Sequence, residues 1–150
     1  MLPLKNPFPL NIWEKVKALA DIFRPYGIKV YLSINFAYPH ATGRAFHSRS
    51  FGQRCHRLVE AAKPKRSIAP SPDFGGFLVK ANSEGQPGPC DFNRTHAEGA
   101  NMLADALKPY KGIVMWRAFV YSPTDADRAK QAYLEFQPLD GQFRDNVIVQ

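Results

Sequence analysis

Several things are scarce in this sequence. Only two of its 150 residues are cysteine, Cys55 and Cys90, too few for the disulfide framework that small secreted scaffolds depend on. No apolar run approaches the roughly 18 residues of a membrane span, so no membrane partner is expected. The opening stretch, Met1-Leu2-Pro3-Leu4-Lys5-Asn6-Pro7, lacks the long apolar segment of a secretory leader. A cytoplasmic location is the corresponding expectation. Acidic residues are also short, 13 Asp+Glu against 20 Lys+Arg, a net of +7. What is present is a globular composition, 45% apolar and 22% charged, and a length suited to one core.

The excess charge is concentrated. Residues 40–66 hold Arg44, Arg49, Arg54, Arg57, Lys63, Lys65 and Arg66 against Glu60 alone, a net of +6. Three of the four histidines (His40, His47, His56) and Cys55 fall there as well. Their spacing matches no paired C-x-x-C or H-x(3–5)-H ligand pattern, which argues against a metal. Only Phe46 and Phe51 could stack on bases and no nucleic-acid motif is present, so no nucleic-acid partner is expected. A non-catalytic basic module acting through residues 44–66 on nucleic acid or an acidic glycan is the alternative function.

On either side of that stretch, helices and strands alternate. Asn11 with Glu14 predicts a capped helix, with Trp13, Val16, Leu19, Ala20 and Phe23 on its buried face and Pro25 and Gly27 at its end. Ile28–Ile34 reads as a buried strand, as do Gly76–Lys80, Ile113–Arg117 and Asn146–Gln150. Thr95 with Glu98 opens a second helix with Met102, Leu103, Ala106 and Leu107 inward. Thr124 with Asp127 resembles a third helix start, with Ala129, Ala132, Tyr133 and Phe136 on one face. The strand centres Phe77, Val114 and Ile148 lie 37 and 34 residues apart. That interval means βα units on a parallel sheet, doubly wound or barrel-like. With about four strands, the chain would be at most half of a (β/α)8 barrel. It also ends within an element, so a fragment is expected.

Chemistry in parallel α/β folds collects at the C-terminal ends of the strands. The first strand runs out through Ser33, Asn35 and Tyr38. The loop after the Phe77 strand carries Lys80, Asn82, Ser83 and Glu84, and the Val114 strand ends in Trp116-Arg117. Glu84 is therefore a candidate acid/base residue, with Lys80 and Arg117 as candidate anion binders. The competing reading makes Glu84 a solvated loop carboxylate and pairs Lys80 with a neighbour. Ser83 lacks both a nearby histidine and a nucleophile elbow. His96, opening a capped helix, reads as structural or solvent-exposed, and Asp140 as a turn residue.

One family shares long blocks with this chain. Asp73-Phe74-Gly75-Gly76-Phe77-Leu78-Val79-Lys80-Ala81-Asn82-Ser83-Glu84-Gly85-Gln86-Pro87-Gly88-Pro89, Arg94-Thr95-His96-Ala97-Glu98-Gly99-Ala100-Asn101-Met102-Leu103, Trp116–Tyr121 and Pro138–Val147 resemble the α-glucuronidases of glycoside hydrolase family 67. Phe23–Ile28 and Tyr31–Phe36 fit the same family. The resemblance implies a (β/α)8 catalytic domain that removes α-1,2-linked (4-O-methyl)glucuronic acid from xylo-oligosaccharides with inversion. It implies no cofactor and homodimers of the full-length enzyme. By motif, Glu84 resembles the general acid, and Lys80 and Arg117 resemble cations holding the uronic carboxylate.

Two departures qualify the match. The family's base carboxylates and a third carboxylate-binding lysine fall just beyond the position of Gln150, so the chain alone is expected to be inactive. Residues 40–72 also lack the family's Trp-Trp-Lys and Glu-Ile-Tyr-Arg stretches. Leu58-Val59-Glu60 can be encoded TTG-GTG-GAA, which contains the start of a Trp-Trp-Lys reading one base out of register. Lys65–Ala69 can likewise hide Glu-Ile-Tyr-Arg. A shifted reading frame over this basic segment is the expectation.

Overall fold

A computed structural model describes residues 10–36, 74–82, 87–118 and 127–150, with the backbone alone for 10–13, 128 and 129. Helix α1 covers Leu10–Phe23 and β1 covers Val30–Asn35; β2 is Phe74–Lys80 and α2 is His96–Leu107. They are followed by β3 (Ile113–Trp116), α3 (Arg128–Phe136) and β4 (Val147–Val149). Short 3-10 turns extend the C-terminal end of each α-helix, and another, Pro89–Phe92, precedes α2.

The four strands form one parallel sheet in the order β1-β2-β3-β4. Among the described residues, strands adjacent in sequence are thus adjacent in space. Alternation along the strands sorts the side chains into two faces. Leu32, Phe77, Val114 and Val147 form one cross-strand row of the helix-covered face, and Ile34, Val79 and Trp116 belong to the next. On these rows lie Ala100, Leu103, Ala104 and Leu107 of α2, with Phe136 of α3 and Phe143 packed at the margin. Trp116, Val79 and Val114 are wholly buried, and each such side chain contributes about 1.5–3 kcal/mol by leaving water.

The other face carries Tyr31, Ser33 and Asn35 from β1, Leu78 and Lys80 from β2, and Met115 from β3. Its apolar members are only half-buried, and Ile148 of β4 is 51% exposed.

Two glycines make the pairings of β2 with its neighbours possible, Gly75 toward β1 and Gly76 toward β3. The register slips at Gly75, between the pairs Val30–Phe74 and Tyr31–Gly76. A side chain on Gly75 would run into the Tyr31 ring, and Gly76, at φ +136°, would drive a Cβ into the Ile113 carbonyl. The lead-in to β4 is fastened to α2. Asn146 donates to the carbonyls of Ala104 (2.9 Å) and Gly112 (3.0 Å), and Arg144 pairs with Asp105 through Nε and Nη2.

The helix starts divide in outcome. The Thr95–Glu98 capping box is present, with Glu98 N–H donating to Thr95 Oγ1 (3.1 Å) and Thr95 N–H to Glu98 (2.8 Å). These bonds and Arg94 hold the Glu98 carboxyl below its ordinary pKa. Asn11, expected as the first cap, lies inside α1, which begins at Leu10. The third helix is capped by Asp127, which accepts from Lys130 N–H at 3.2 Å; Thr124 lies outside the described residues. Buried faces differ too. Of the predicted α1 face, Ala20 is buried, whereas Leu19 and Phe23 are exposed. In α3 the half-buried set is Gln131, Ala132, Glu135 and Phe136, and Tyr133 points to solvent.

Candidate active site

The C-terminal ends of the strands bring polar residues into one row. Asn35 is paired with Lys80 across β1 and β2. Val79 is paired with Trp116, and Arg117 N–H donates to the Val79 carbonyl at 3.3 Å, which sets Arg117 beside Lys80. Gln150 N–H donates to Trp116 O (2.8 Å) and Ala118 N–H to Gln150 O (2.7 Å), bracketing Arg117 with Gln150. The row therefore reads Asn35, Lys80, Arg117, Gln150 on the face away from α2 and α3. Lys80 and Arg117 are both half-buried. Adjacent parallel strands lie about 4.8 Å apart, so the two cationic side chains spring from neighbouring positions on one face.

Glu84 and Ser83 lie outside the described residues, as do Tyr38, His40, His47, Cys55, His56 and the whole basic stretch 44–66. The two ends of the Glu84 loop are described, and they are fastened together. Asn82, in the left-handed region at φ 50°, donates through Nδ2 to Asp91 (2.9 Å). Gly88 N–H donates to the same Asp91 oxygen (2.7 Å), and Cys90 N–H reaches Asn82 Oδ1 (3.4 Å). Gly88 is required here, because a Cβ would collide with the Asn82 side chain. Beyond the clasp, Pro89 is buried in a notch at Gly99 of α2.

Next to the Asn82–Asp91 clasp, and sharing Cys90 with it, is a cluster that the sequence pattern did not point to. His96 is 1% exposed, which corrects the solvent-exposed alternative and leaves the structural one. Trp116 Nε1–H donates to His96 Nδ1 at 3.2 Å, while Nε2 faces Glu135 Oε1 at 2.8 Å. The ring stacks on Phe136 with centroids 4.8 Å apart. Indole nitrogen only donates, so Nδ1 must accept and the imidazole proton sits on Nε2, directed at Glu135. Burial lowers the His96 pKa from its ordinary 6.5, against the opposing pull of Glu135. The Trp116 donor acts in the same direction as burial, since a second ring proton would face it.

Cys90 adds a sulfur 3.7 Å from His96 Nε2 and 4.0 Å from Glu135 Oε1. Cysteine, histidine and carboxylate at these separations have the composition of a metal site. The tautomer disagrees. A metal would need the Nε2 lone pair, and moving its proton to Nδ1 would set two donors against each other at Trp116. Burial, Glu135 and Asp91 also push the Cys90 thiol above its ordinary pKa, away from the thiolate a metal or nucleophilic role requires. The cluster is accordingly a packing and hydrogen-bonding joint between β3, α2 and α3.

Comparison with known proteins places the whole arrangement. Residues 8–150 match the model for the glycosyl hydrolase family 67 middle domain. The probable alpha-glucuronidase A of Aspergillus fumigatus is 51% identical over 148 residues, covering 95% of this chain and 17% of that protein. The alpha-glucuronidase of Hypocrea jecorina is 49% identical over 144 residues, 91% of this chain and 17% of that one. Alpha-glucuronidase A of Emericella nidulans is 46% identical over 153 aligned residues, 91% of this chain and again 17% of the relative. The chain thus spans about a sixth of the length of these curated relatives, and the match runs across residues 40–72.

Proposed function

The chain belongs to glycosyl hydrolase family 67, and we propose from that premise that it forms the uronate-holding wall of an alpha-glucuronidase active site. The carrying observation is the placement of Lys80 and Arg117 side by side at the C-terminal ends of β2 and β3. Two fixed cations on one sheet face suit a sugar that bears a carboxylate, and Arg can engage it through two parallel hydrogen bonds. The relatives named alpha-glucuronidase support glucuronic acid as that sugar. Sequential strand order and helices α2 and α3 on one face support the finer fold reading, about half of a (β/α)8 barrel. In that reading the half-buried face of Leu78 and Met115 looks into the barrel.

Glu84 is the general acid of this proposal. Its carboxyl gives a proton to the glycosidic oxygen as the bond from that oxygen to the anomeric carbon breaks, so the xylose end leaves as an alcohol rather than an alkoxide. Water adds to the opposite face of the sugar, and its proton goes to a carboxylate base. The family's base motif is not among residues 1–150. The substrate of the whole protein is a glucuronoxylo-oligosaccharide, and no cofactor enters the reaction.

The test is a titration of the chain with D-glucuronate and, as a neutral control, D-glucose. The expected result is preference for glucuronate, reduced about 10- to 100-fold by Lys80→Ala or Arg117→Ala, the range for losing a charge-assisted hydrogen bond. Equal binding of both sugars, or glucuronate binding indifferent to both substitutions, contradicts the proposal.

A further inference from the structure

Lys80 and Arg117 stand at the same level of the sheet but are held differently. Lys80 is the last residue of β2 and is paired in register with Asn35. Arg117 lies one residue past the end of β3, beyond Val79–Trp116, the last register pair with β2. Its N–H reaches the Val79 carbonyl at 3.3 Å, longer than the usual N–H···O range. On the other side Trp116 O and Ala118 N–H bond to Gln150 at 2.8 and 2.7 Å. Ile148 and Val149 of that strand are exposed, so β4 is a lightly packed support.

The firmest support is the residue before Arg117. Trp116 is wholly buried, and its indole N–H donates to His96 Nδ1 at 3.2 Å. Phe36 packs against the same indole, with centroids 6.1 Å apart. His96 is fixed in turn by Glu135 at 2.8 Å and by stacking on Phe136. Successive side chains of a strand point to opposite faces. Clamping the indole on the helix face therefore sets the backbone from which Arg117 leaves on the other face.

We infer that His96 is a positioning residue for the uronate site: by accepting from Trp116, it fixes the direction in which Arg117 is presented. This rests on the uronate reading and adds to it a support for one of its two cations, from the opposite face of the sheet. A guanidinium gains its advantage from two parallel hydrogen bonds, which need a set orientation. An ammonium is a point charge with rotatable donors and tolerates a shifted anchor. The demand for a rigid anchor thus falls on Arg117, and Lys80 takes its place from the β1–β2 pairing.

The experiment titrates the 150-residue chain with D-glucuronate and D-glucose. Trp116→Phe removes the donor and His96→Leu the acceptor, and each keeps the space filled. His96→Asn keeps an acceptor where Nδ1 stands. The first two variants are expected to lose about three- to tenfold in glucuronate affinity with glucose binding unchanged, and His96→Asn to retain most of it. Double variants separate positioning from a loosening of the whole domain. Added to Lys80→Ala, Trp116→Phe should cost the same factor again; added to Arg117→Ala, it should cost nothing more. Unchanged glucuronate affinity in Trp116→Phe or His96→Leu, whichever is folded, overturns the assignment of His96 and leaves the uronate site standing. An equal loss in the Arg117→Ala background does the same. An unmodified chain that does not distinguish glucuronate from glucose overturns both.

Discussion

The indole N–H of Trp116 donates to Nδ1 of His96 at 3.2 Å, twenty residues away in sequence and inside the core. This bond joins the last residue of β3 to the first residue of α2. It fixes the imidazole tautomer, and through it the Nε2–H contact to Glu135 of α3. Arg117 follows Trp116 directly, so the joint on the helix side of the sheet anchors the strand end from which Arg117 projects on the other.

Acid should loosen this joint. The folded-state pKa of His96 is depressed below its ordinary 6.5, so between those two values the unfolded chain binds the additional proton. The stabilisation is complete above about 6.5 and is lost as pH falls toward the folded value. Thermal unfolding followed from pH 8 to pH 5 should show a falling midpoint below 6.5, and His96→Phe should flatten that part of the profile. An unchanged slope in His96→Phe would assign the acid sensitivity elsewhere.

Removing the imidazole also strands the Trp116 donor. His96→Ala leaves the indole N–H without its acceptor and opens space under Phe136, so we expect a loss of about 2–4 kcal/mol from an unmade buried hydrogen bond plus a cavity. Urea denaturation measures this, and a loss below 1 kcal/mol would contradict the role of the pair.

Gly76 should tolerate no side chain. Its φ of +136° and the Ile113 carbonyl in the path of a Cβ combine backbone strain with a steric clash at the β2–β3 pairing. Gly76→Ala should cost about 3 kcal/mol or more. Gly27, also at positive φ but with open space around it, should cost about 1–2 kcal/mol as alanine, from strain alone. Equal effects at the two sites in parallel denaturation curves would refute the steric part of the argument.

The clasp at the base of the Glu84 loop should be visible in amide exchange. Asp91→Ala removes the acceptor of both the Asn82 amide and Gly88 N–H. Faster exchange at Gly88, with the amides of α2 beyond its first turn unchanged, is the expected pattern. Unaltered Gly88 protection would show that the loop ends are held by something other than Asp91.

Much of the fold was legible because its determinants are local. β-branched and aromatic runs mark β1 and β3, and the Thr95–Glu98 pair marks α2 because both halves of the box lie within four residues. The α1 start was misplaced because the Asn-x-x-Glu spacing of Asn11 and Glu14 fits the interior of a helix as well as its cap. On α3, Ala132 and Phe136 face inward as expected, and among the described residues Tyr133 alone was misassigned, because periodicity weighs hydrophobicity alone. Glu135 turns inward for a ring nitrogen 39 residues away, and Tyr133 turns outward in exchange. Lys80 and Arg117 were legible from the rule that parallel sheets work at their C-terminal ends. Asn35 was legible at the end of β1, but its place beside Lys80 depends on the strand register, which no single strand encodes. The His96 cluster was hidden because its partners come from three separate elements.

The shifted-frame expectation for residues 40–72 makes a prediction at the nucleotide level. Read in all three frames, that part of the gene should yield Trp-Trp-Lys near Leu58–Glu60 and Glu-Ile-Tyr-Arg near Lys65–Ala69. If no single-base shift produces either, the basic segment is encoded as it stands.

If this chain supplies the acid and the cations of a glucuronidase site, those residues should work inside a complete enzyme. Full-length alpha-glucuronidase of Hypocrea jecorina, carrying residues 74–150 of this chain in place of its own matching stretch, is assayed for glucuronic acid release from a glucuronoxylo-oligosaccharide. The expected result is an active enzyme in which Glu84→Gln lowers kcat by about 10²–10⁴, the usual contribution of a general acid, with KM little changed. An active enzyme in which Glu84→Gln retains kcat within a few-fold would contradict it.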